Sequence, residues 1–298
     1  MKKIEIPEEN IRKIMEHKKL DRIEDYDKVL PILEVYTAIQ SEGSRAGYPT
    51  IVIRTTGCTH RCFFGEGGWC DSWYTSIHPE KGTHNFQSII DMYKSNPHIK
   101  EMMLTGGSPS MHPSLVNELT HFAYQNKIFI TMETEGSHFL ETDHPINLLS
   151  ISPKFSNSIP IKGEKTPLGA IVDERMVKQH NKFRLNYANI IDSINYHHDY
   201  HIKPVIDKDL TIMGEVEDFL ERLSTGLLSS PKYINSYVRF DLEGIHNMVK
   251  SKTWMMPAGA TREQLIESYG PVMNMCKDRG YKFSPRPHII AFDEMREV

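Results

Sequence analysis

"IKEMMLTGGSPSMHPSLVNELTHFAYQNKIFITMET", residues 99–134, decides the fold. An apolar run, "IKEMMLT", breaks at two glycines. A helix-like segment, "PSLVNELTHFAYQN", follows and gives way to a second apolar run, "IFITME". The same order recurs on either side. "NFQSIIDMYKSN" precedes the first run as a helix, and "INLLSISPK" supplies a further strand. Strands separated by helices of about 12 residues argue for βα units and a mostly parallel sheet. Such sheets bind ligands at the carboxyl ends of their strands.

Upstream, "ILEVYTAI" and "TIVIRTT" read as strands joined by the Gly-rich "QSEGSRAGYP". Residues 1–30 read as an appended, charged helical extension, with the helix at about 8–19. Residues 31–298 then form one catalytic-sized domain, with a probable insert at about 155–200. Within that insert "NSIPIKGEKTP" reads as loop, and "NYANIIDSINYHHDYHIKPVI" as one or two strands. Downstream, "EVEDFLERLSTGL" reads as a helix, and "SYVRFDLEG" and "TWMMPAG" as extended pieces. "TREQLIESYGPVMNMCKDRG" reads as an amphipathic helix interrupted near Gly270 and Pro271, and "PRPHIIAF" as a closing strand.

Composition narrows the function. The chain has 298 residues, 39% hydrophobic and 25% charged, with a formal net charge of −4. That is enough to bury a sizeable core. Dispersed Lys and Arg give no surface for tracking a nucleic-acid backbone, so no direct nucleic acid is expected. No apolar run approaches the roughly 20 residues of a membrane helix, and the first residues lack an apolar signal core. The expectation is a cytoplasmic protein without a membrane partner. In a reducing compartment, clustered cysteines point to metal or redox chemistry rather than disulfides.

Three of the four cysteines, Cys58, Cys62 and Cys70, fall in "GCTHRCFFGEGGWCDSWYT", spaced C-x3-C-x7-C. Thiolates suit iron, and three of them on a four-iron cubane leave one iron open to a ligand. A zinc site needs a fourth ligand, for which His60 stands between the first two cysteines; such a site would make the chain a non-catalytic binding module. Cys276, beside Met273 and Met275 in a helical pattern, reads as a small buried hydrophobe.

Read with its neighbours, the loop resembles the radical S-adenosylmethionine superfamily, whose usual pattern is C-x3-C-x-aromatic-C. The first spacing is kept, and Trp69 stands just before Cys70 with five residues inserted. The chain more closely resembles the 7-carboxy-7-deazaguanine synthases. The matching segments, in order, are "AIQSEGSRAGYPTIVIRTTGC" for a Q-G-E-G turn with an Arg before the first cysteine, and "WCDSWYT" for C-D-T-x-Y-T. Then come "LTGGSP" for T-G-G-E-P, "METEGS" for E-T-N-G-T, "SPK", "MPAGATREQ" for M-P-x-G-x-T-x-E, and "SPRPHIIAF" for a terminal strand carrying His. The matches span residues 32–292, with 1–30 and 155–200 outside them. Ser72 and Ser108 depart from the Thr and Glu of the family patterns.

The resemblance implies a partial, TIM-like barrel of βα units. It implies that Cys58, Cys62 and Cys70 hold a 4Fe-4S cluster and that S-adenosylmethionine meets Thr105, Gly106, Gly107, Ser108, Glu133, Ser152 and Lys154. Ser72 would ligate Mg2+. Gln40, Glu42, Arg54, Thr105 and His288 would bind 6-carboxy-5,6,7,8-tetrahydropterin, and the product, after loss of ammonia, would be 7-carboxy-7-deazaguanine, for queuosine or another deazapurine. The implied partners are an electron donor such as flavodoxin or ferredoxin, and a second copy in a homodimer. A competing reading within the superfamily is an activase that abstracts hydrogen from a partner protein's glycine, but that leaves Gln40, Glu42, Arg54 and His288 without a purpose.

Overall fold

A computed structural model describes residues 20–236 and 240–298. The helix expected at about 8–19 and the core of the extended piece at 237–239 lie outside the described residues. Among the described residues ten strands make two sheets. In the larger, β1 (Val29–Ile39), β2 (Pro49–Thr55), β3 (His84–Asn85), β4 (Glu101–Gly106), β5 (Phe129–Thr134), β6 (Leu148–Ile151) and β7 (Asp199–Ile202) lie in the order β3-β1-β2-β4-β5-β6-β7. From β2 to β7 every pairing is parallel, while β1 runs antiparallel to both its neighbours. The smaller sheet, β8 (Val205–Ile206), β9 (Trp254–Pro257) and β10 (Lys282–Phe283), is also parallel, and one parallel bridge, Ile202 to Thr253, joins it to β7. The larger sheet stays open, with β3 and β7 at its edges.

Strands buried on both faces read as unbroken apolar runs rather than alternating ones. Ile51, Ile53, Met102, Leu104, Leu149 and Ile151 on one face are fully buried, and Val52 and Leu148 on the other are nearly so. Each such side chain contributes roughly 1.5–3 kcal/mol. After the short helix α1 (Trp73–Ser76), the crossovers α2 (Phe86–Ser95) and α3 (Pro113–Asn126) cover the core through Phe86, Ile89, Leu115 and Leu119. Helix α2 starts where the Asn85 side chain accepts from Ser88 N, and α3 starts with Pro113 in its first turn. Residues 20–27 are tied to α3, with Arg22 and Tyr26 both bonded to Glu118.

Four sequence expectations change here. The segment from Asn186 begins not as a strand but as helix α5 (Tyr187–Tyr196), which follows α4 (Glu174–Phe183) and precedes β7. Ile190 and Ile194, four apart, are its buried stripe, so the period is helical. After α6 (Met213–Leu228) and α7 (Pro231–Ile234), Asp241 caps an unforeseen helix, α8 (Leu242–Ser251), by accepting from Gly244 N at 2.7 Å. Helix α9 (Arg262–Arg279) continues through Pro271. Pro271 and Glu267, whose carbonyl it frees, both lie on the solvent face, and Gly270 has no Cβ to clash with the proline ring. The closing "PRPHIIAF" is helix α10 (Pro287–Phe292), with Pro287 in its first turn; Ile289 is buried while Ile290 is exposed. Cys276 is buried in α9, as expected. No described helix is long and apolar enough to cross a membrane.

Candidate active site

A cavity of about 530 Å³ opens at the carboxyl ends of the parallel strands. Arg54 ends β2, Thr105 and Gly106 end β4, Glu133 and Thr134 end β5, and Ser152, Lys154 and Lys203 lie just past β6 and β7; all line it. Helix α10 and the last residues of the chain close one side through His288, Ile289 and Arg296.

The cysteine loop leaves β2 at Thr55 and reaches α1 at Trp73. Its five inserted residues form a small hairpin around a turn at Gly65–Gly67: Phe63 bridges Trp69, and Cys70 N donates to Cys62 O at 3.1 Å. Gly65 and Gly68 sit at φ of +59° and +79°, so the excursion folds on itself and returns Cys70 beside Cys62. Cys58, Cys62 and Cys70 are free thiols lining the cavity. Burial pushes all three up in pKa, Cys62 to about 11 and Cys70 to about 12, with Glu135 adding to the rise at Cys58 and Asp71 to that at Cys70. A metal that takes these ligands must displace their protons.

Among the described residues no three His, Cys, Asp or Glu side chains converge on a point that would hold one ion. His60 lines the cavity, but its Nδ1 meets Thr59 Oγ1 at 2.9 Å and its Nε2 is buried without a partner. The three thiols share a wall without collapsing onto a centre. That donor set, soft and spread out, fits a multi-iron cluster better than a single zinc.

The glycines at the end of β4 also have a packing purpose. A Cβ on Gly106 would lie 2.1 Å from Thr55 O, and one on Gly107 2.0 Å from Gly57 O. Their bareness lets the end of β4 clasp the root of the cysteine loop, where Gly107 N and Ser108 N donate to those same two carbonyls. Thr105, Gly106 and Gly107 still line the cavity. Ser108 does not: it is fully buried, and its hydroxyl donates to Glu135 at 2.7 Å. Lys154 donates to Ser152 Oγ at 2.8 Å, and both face the cavity.

Next to the cysteines, joined to them at Asp71, lies a network of charges. Lys203, buried, donates to Glu42 at 2.6 Å and to Glu133 at 2.7 Å. Arg286 donates to Glu42 at 2.9 Å, to Gly259 O at 2.6 Å and to Asp71. Burial alone would raise Glu42, but Lys203, Arg286 and His288 together hold it well below the usual carboxylate range. Burial opposes the charge of Lys203 too, and Glu133 and Glu42 outweigh it, raising the lysine to about 12. His288 Nε2 lies 3.9 Å from Glu42. Arg54 donates to Glu34, to Tyr36 Oη and, at 3.1 Å, to Ser72 Oγ. Ser72 in turn donates to Asp71 at 3.2 Å and makes no side-chain cap on α1.

The structure thus gathers Glu42, Arg54, Thr105, Ser72 and His288 around the cavity and leaves Gln40 out. Its side chain is buried, with neither amide atom hydrogen-bonded, and is not among the lining residues. Sequence reasoning missed Asp71, Glu135, Lys203 and Arg286. Asp71 and Arg286 stood inside motifs already singled out for Ser72 and His288. Glu135 sat in "METEGS", read only for Glu133. Lys203 followed the segment least legible from the sequence.

No family model matches the chain. Among curated proteins it is 30% identical over 272 residues to the 7-carboxy-7-deazaguanine synthase of Halobacterium salinarum, covering 90% of this chain and 93% of that one. It is 25% identical to the enzyme of that name from Rhodopirellula baltica, covering 90% and 88%, and 27% identical to that from Pyrobaculum aerophilum, covering 89% and 96%. A solved structure, QueE from Escherichia coli, aligns at a TM-score of 0.49 and 19% identity over 85% of this chain and 92% of that one. Likeness at this level, sustained from one end of the Halobacterium salinarum relative to the other, makes the chain a member of the 7-carboxy-7-deazaguanine synthase family.

Proposed function

We propose that this enzyme converts 6-carboxy-5,6,7,8-tetrahydropterin to 7-carboxy-7-deazaguanine with loss of ammonia, as a carbon–nitrogen lyase of the radical S-adenosylmethionine type. The observation that carries the reading is the meeting, in one cavity, of three free thiols with Glu42, Arg54, Lys203, Arg286 and His288. When bound, a 4Fe-4S cluster and S-adenosylmethionine supply the radical that takes hydrogen from the substrate.

The chain's own residues hold and orient. Cys58, Cys62 and Cys70 would bind the cluster, and Thr105, Gly106, Gly107, Ser152 and Lys154 would surround the S-adenosyl ligand. Glu42 is kept ionised by two cations, so it accepts the N–H edge of a pterin without taking up a proton. Arg54 is steered by Glu34 and Tyr36. It would meet the substrate carboxylate together with a Mg2+ ion near Ser72, whose hydroxyl lies against the Asp71 carboxylate. Oxygen donors of this kind suit magnesium. His288 would close the pterin pocket from α10. The setting we propose is cytoplasmic and homodimeric, with an external donor such as flavodoxin or ferredoxin, and with the product entering queuosine or another deazapurine.

Anaerobic reconstitution with iron and sulfide, followed by mass spectrometry of the pterin, tests the reading. Formation of 7-carboxy-7-deazaguanine that Cys70→Ala abolishes is the expected result. Release of 5′-deoxyadenosine with the pterin untouched would overturn the substrate assignment.

A further inference from the structure

One carboxylate of the cavity has no part in the roles above. Glu135 follows β5, is only 5% exposed and lines the cavity. Its Oε1 accepts from Ser108 Oγ at 2.7 Å and from Thr59 Oγ1 at 3.1 Å. Thr59 adjoins Cys58, which places this carboxylate on the cysteine wall. Among the described residues its hydrogen-bond partners are hydroxyls, with no cation at ion-pair distance. A buried carboxylate is costly without a positive partner, and two bonds on one oxygen leave about half of its accepting capacity unused.

The carboxylates of the charge network are committed. Glu42 is bonded to Lys203 and Arg286, Glu133 to Lys203, and Asp71 to Arg286. Two departures from the resembled motifs also meet here. Where those motifs have Glu in T-G-G-E-P and Asn in E-T-N-G-T, this chain has Ser108 and Glu135. The acid has changed places across a contact: these two side chains touch.

We propose that Glu135, steadied by Ser108 and Thr59, is the acceptor for the α-ammonium group of S-adenosylmethionine in this chain, in place of the acid absent at position 108. An ammonium supplies a positive charge and further donors to a carboxylate that has hydroxyl donors and no cation bonded to it. The assignment rests on the proposed function.

The test is anaerobic calorimetric titration of the cluster-loaded protein with S-adenosylmethionine and, separately, with its analogue lacking the α-amino group. Glu135→Gln, which keeps shape and loses charge, is expected to weaken S-adenosylmethionine by roughly tenfold to a hundredfold, the range for a buried charge-assisted hydrogen bond. The same variant binds the deaminated analogue as the unaltered protein does, within about twofold. Ser108→Glu in a Glu135→Asn background is expected to recover most of the lost affinity. Equal weakening of both ligands would assign Glu135 a structural role and overturn the proposal, as would unchanged affinity for S-adenosylmethionine. Failure of the unaltered holoprotein to bind S-adenosylmethionine at all would bring down the proposed function and this assignment with it. Binding in the unaltered protein and equal binding in Glu135→Gln would bring down the assignment alone.

Discussion

On one wall of the cavity Glu42, Asp71 and Glu133 stand against Lys203 and Arg286, each carboxylate bonded to a cation. On the other wall three thiols and Glu135 stand together, the thiols kept protonated by burial and by nearby acids; Asp71, next to Cys70, is where the two walls meet. The first wall settles most of its charge internally, so its side chains are in position before any ligand arrives. On the second, Glu135 has no cation bonded to it, although Lys154 lies near enough to act on Cys62, and whatever binds there adds to the stability of the folded state by mass action. Substrate recognition in this reading is preorganised, whereas the cofactor side is assembled on loading.

The contrast breaks most visibly at Lys203. Lys203→Met strands two buried carboxylates and is expected to cost about 3–5 kcal/mol of stability, since removing one partner leaves uncompensated charge. Cys58→Ala in the cluster-free protein removes only a neutral thiol and is expected to cost about 1 kcal/mol. Urea denaturation of both variants checks this, and equal losses would mean that the two walls do not differ as described.

Acid sharpens the comparison next. Each wall is backed by a buried neutral histidine. His180 Nδ1 accepts from Arg61 N behind the cysteine loop, and His201 meets Ser44 and Ser150 behind Glu42. Burial lowers both to about 3 from an ordinary 6.5. Between those values the unfolded chain binds more protons than the folded one, so stability rises with pH there. Their contribution is complete above about pH 6.5 and is lost as pH falls toward 3, at up to about 1.4 kcal/mol per pH unit for each histidine. Glu42 is held well below its ordinary 4.5, so the charged wall is the last to discharge. Thermal melts from pH 8 to 4 are expected to show the midpoint falling from about pH 6.5, with a shallower fall in His180→Gln; a flat profile down to pH 4.5 would contradict this order.

The smallest effect is expected at Gln40. It touches neither wall, and its amide is buried without a hydrogen bond, so an apolar side chain of similar shape loses nothing there. Gln40→Met is expected to leave kcat/KM within about twofold in the pterin assay. A tenfold loss would return Gln40 to the substrate, as the Q-G-E-G resemblance implied.

The parallel sheet was legible because strands such as β2 and β6 are buried on both faces: "IVI" and "LL" are apolar by necessity, and the intervening helices carry the length that a crossover needs. The cysteine loop was legible because three thiols within thirteen residues point to metal or redox chemistry. The last helix was not. "PHIIAF" buries Ile289 and exposes Ile290, and six residues are too few for a helical period to separate itself from an alternating one. Pro271 misled for the opposite reason, because its cost depends on which way the carbonyl it frees faces, and the chain alone does not say.

What the sequence determined by itself was the order of elements and the chemistry of the loop, since both depend on residue types at short spacing. What tertiary structure alone decided was the pairing of charges. Lys203 lies 161 residues from Glu42, Arg286 lies 244 from it, and Glu135 lies 27 from Ser108. No local pattern encodes such distances. They close because parallel strands bring their carboxyl ends to one rim, and burial there forces every charge to find a partner or to wait for one.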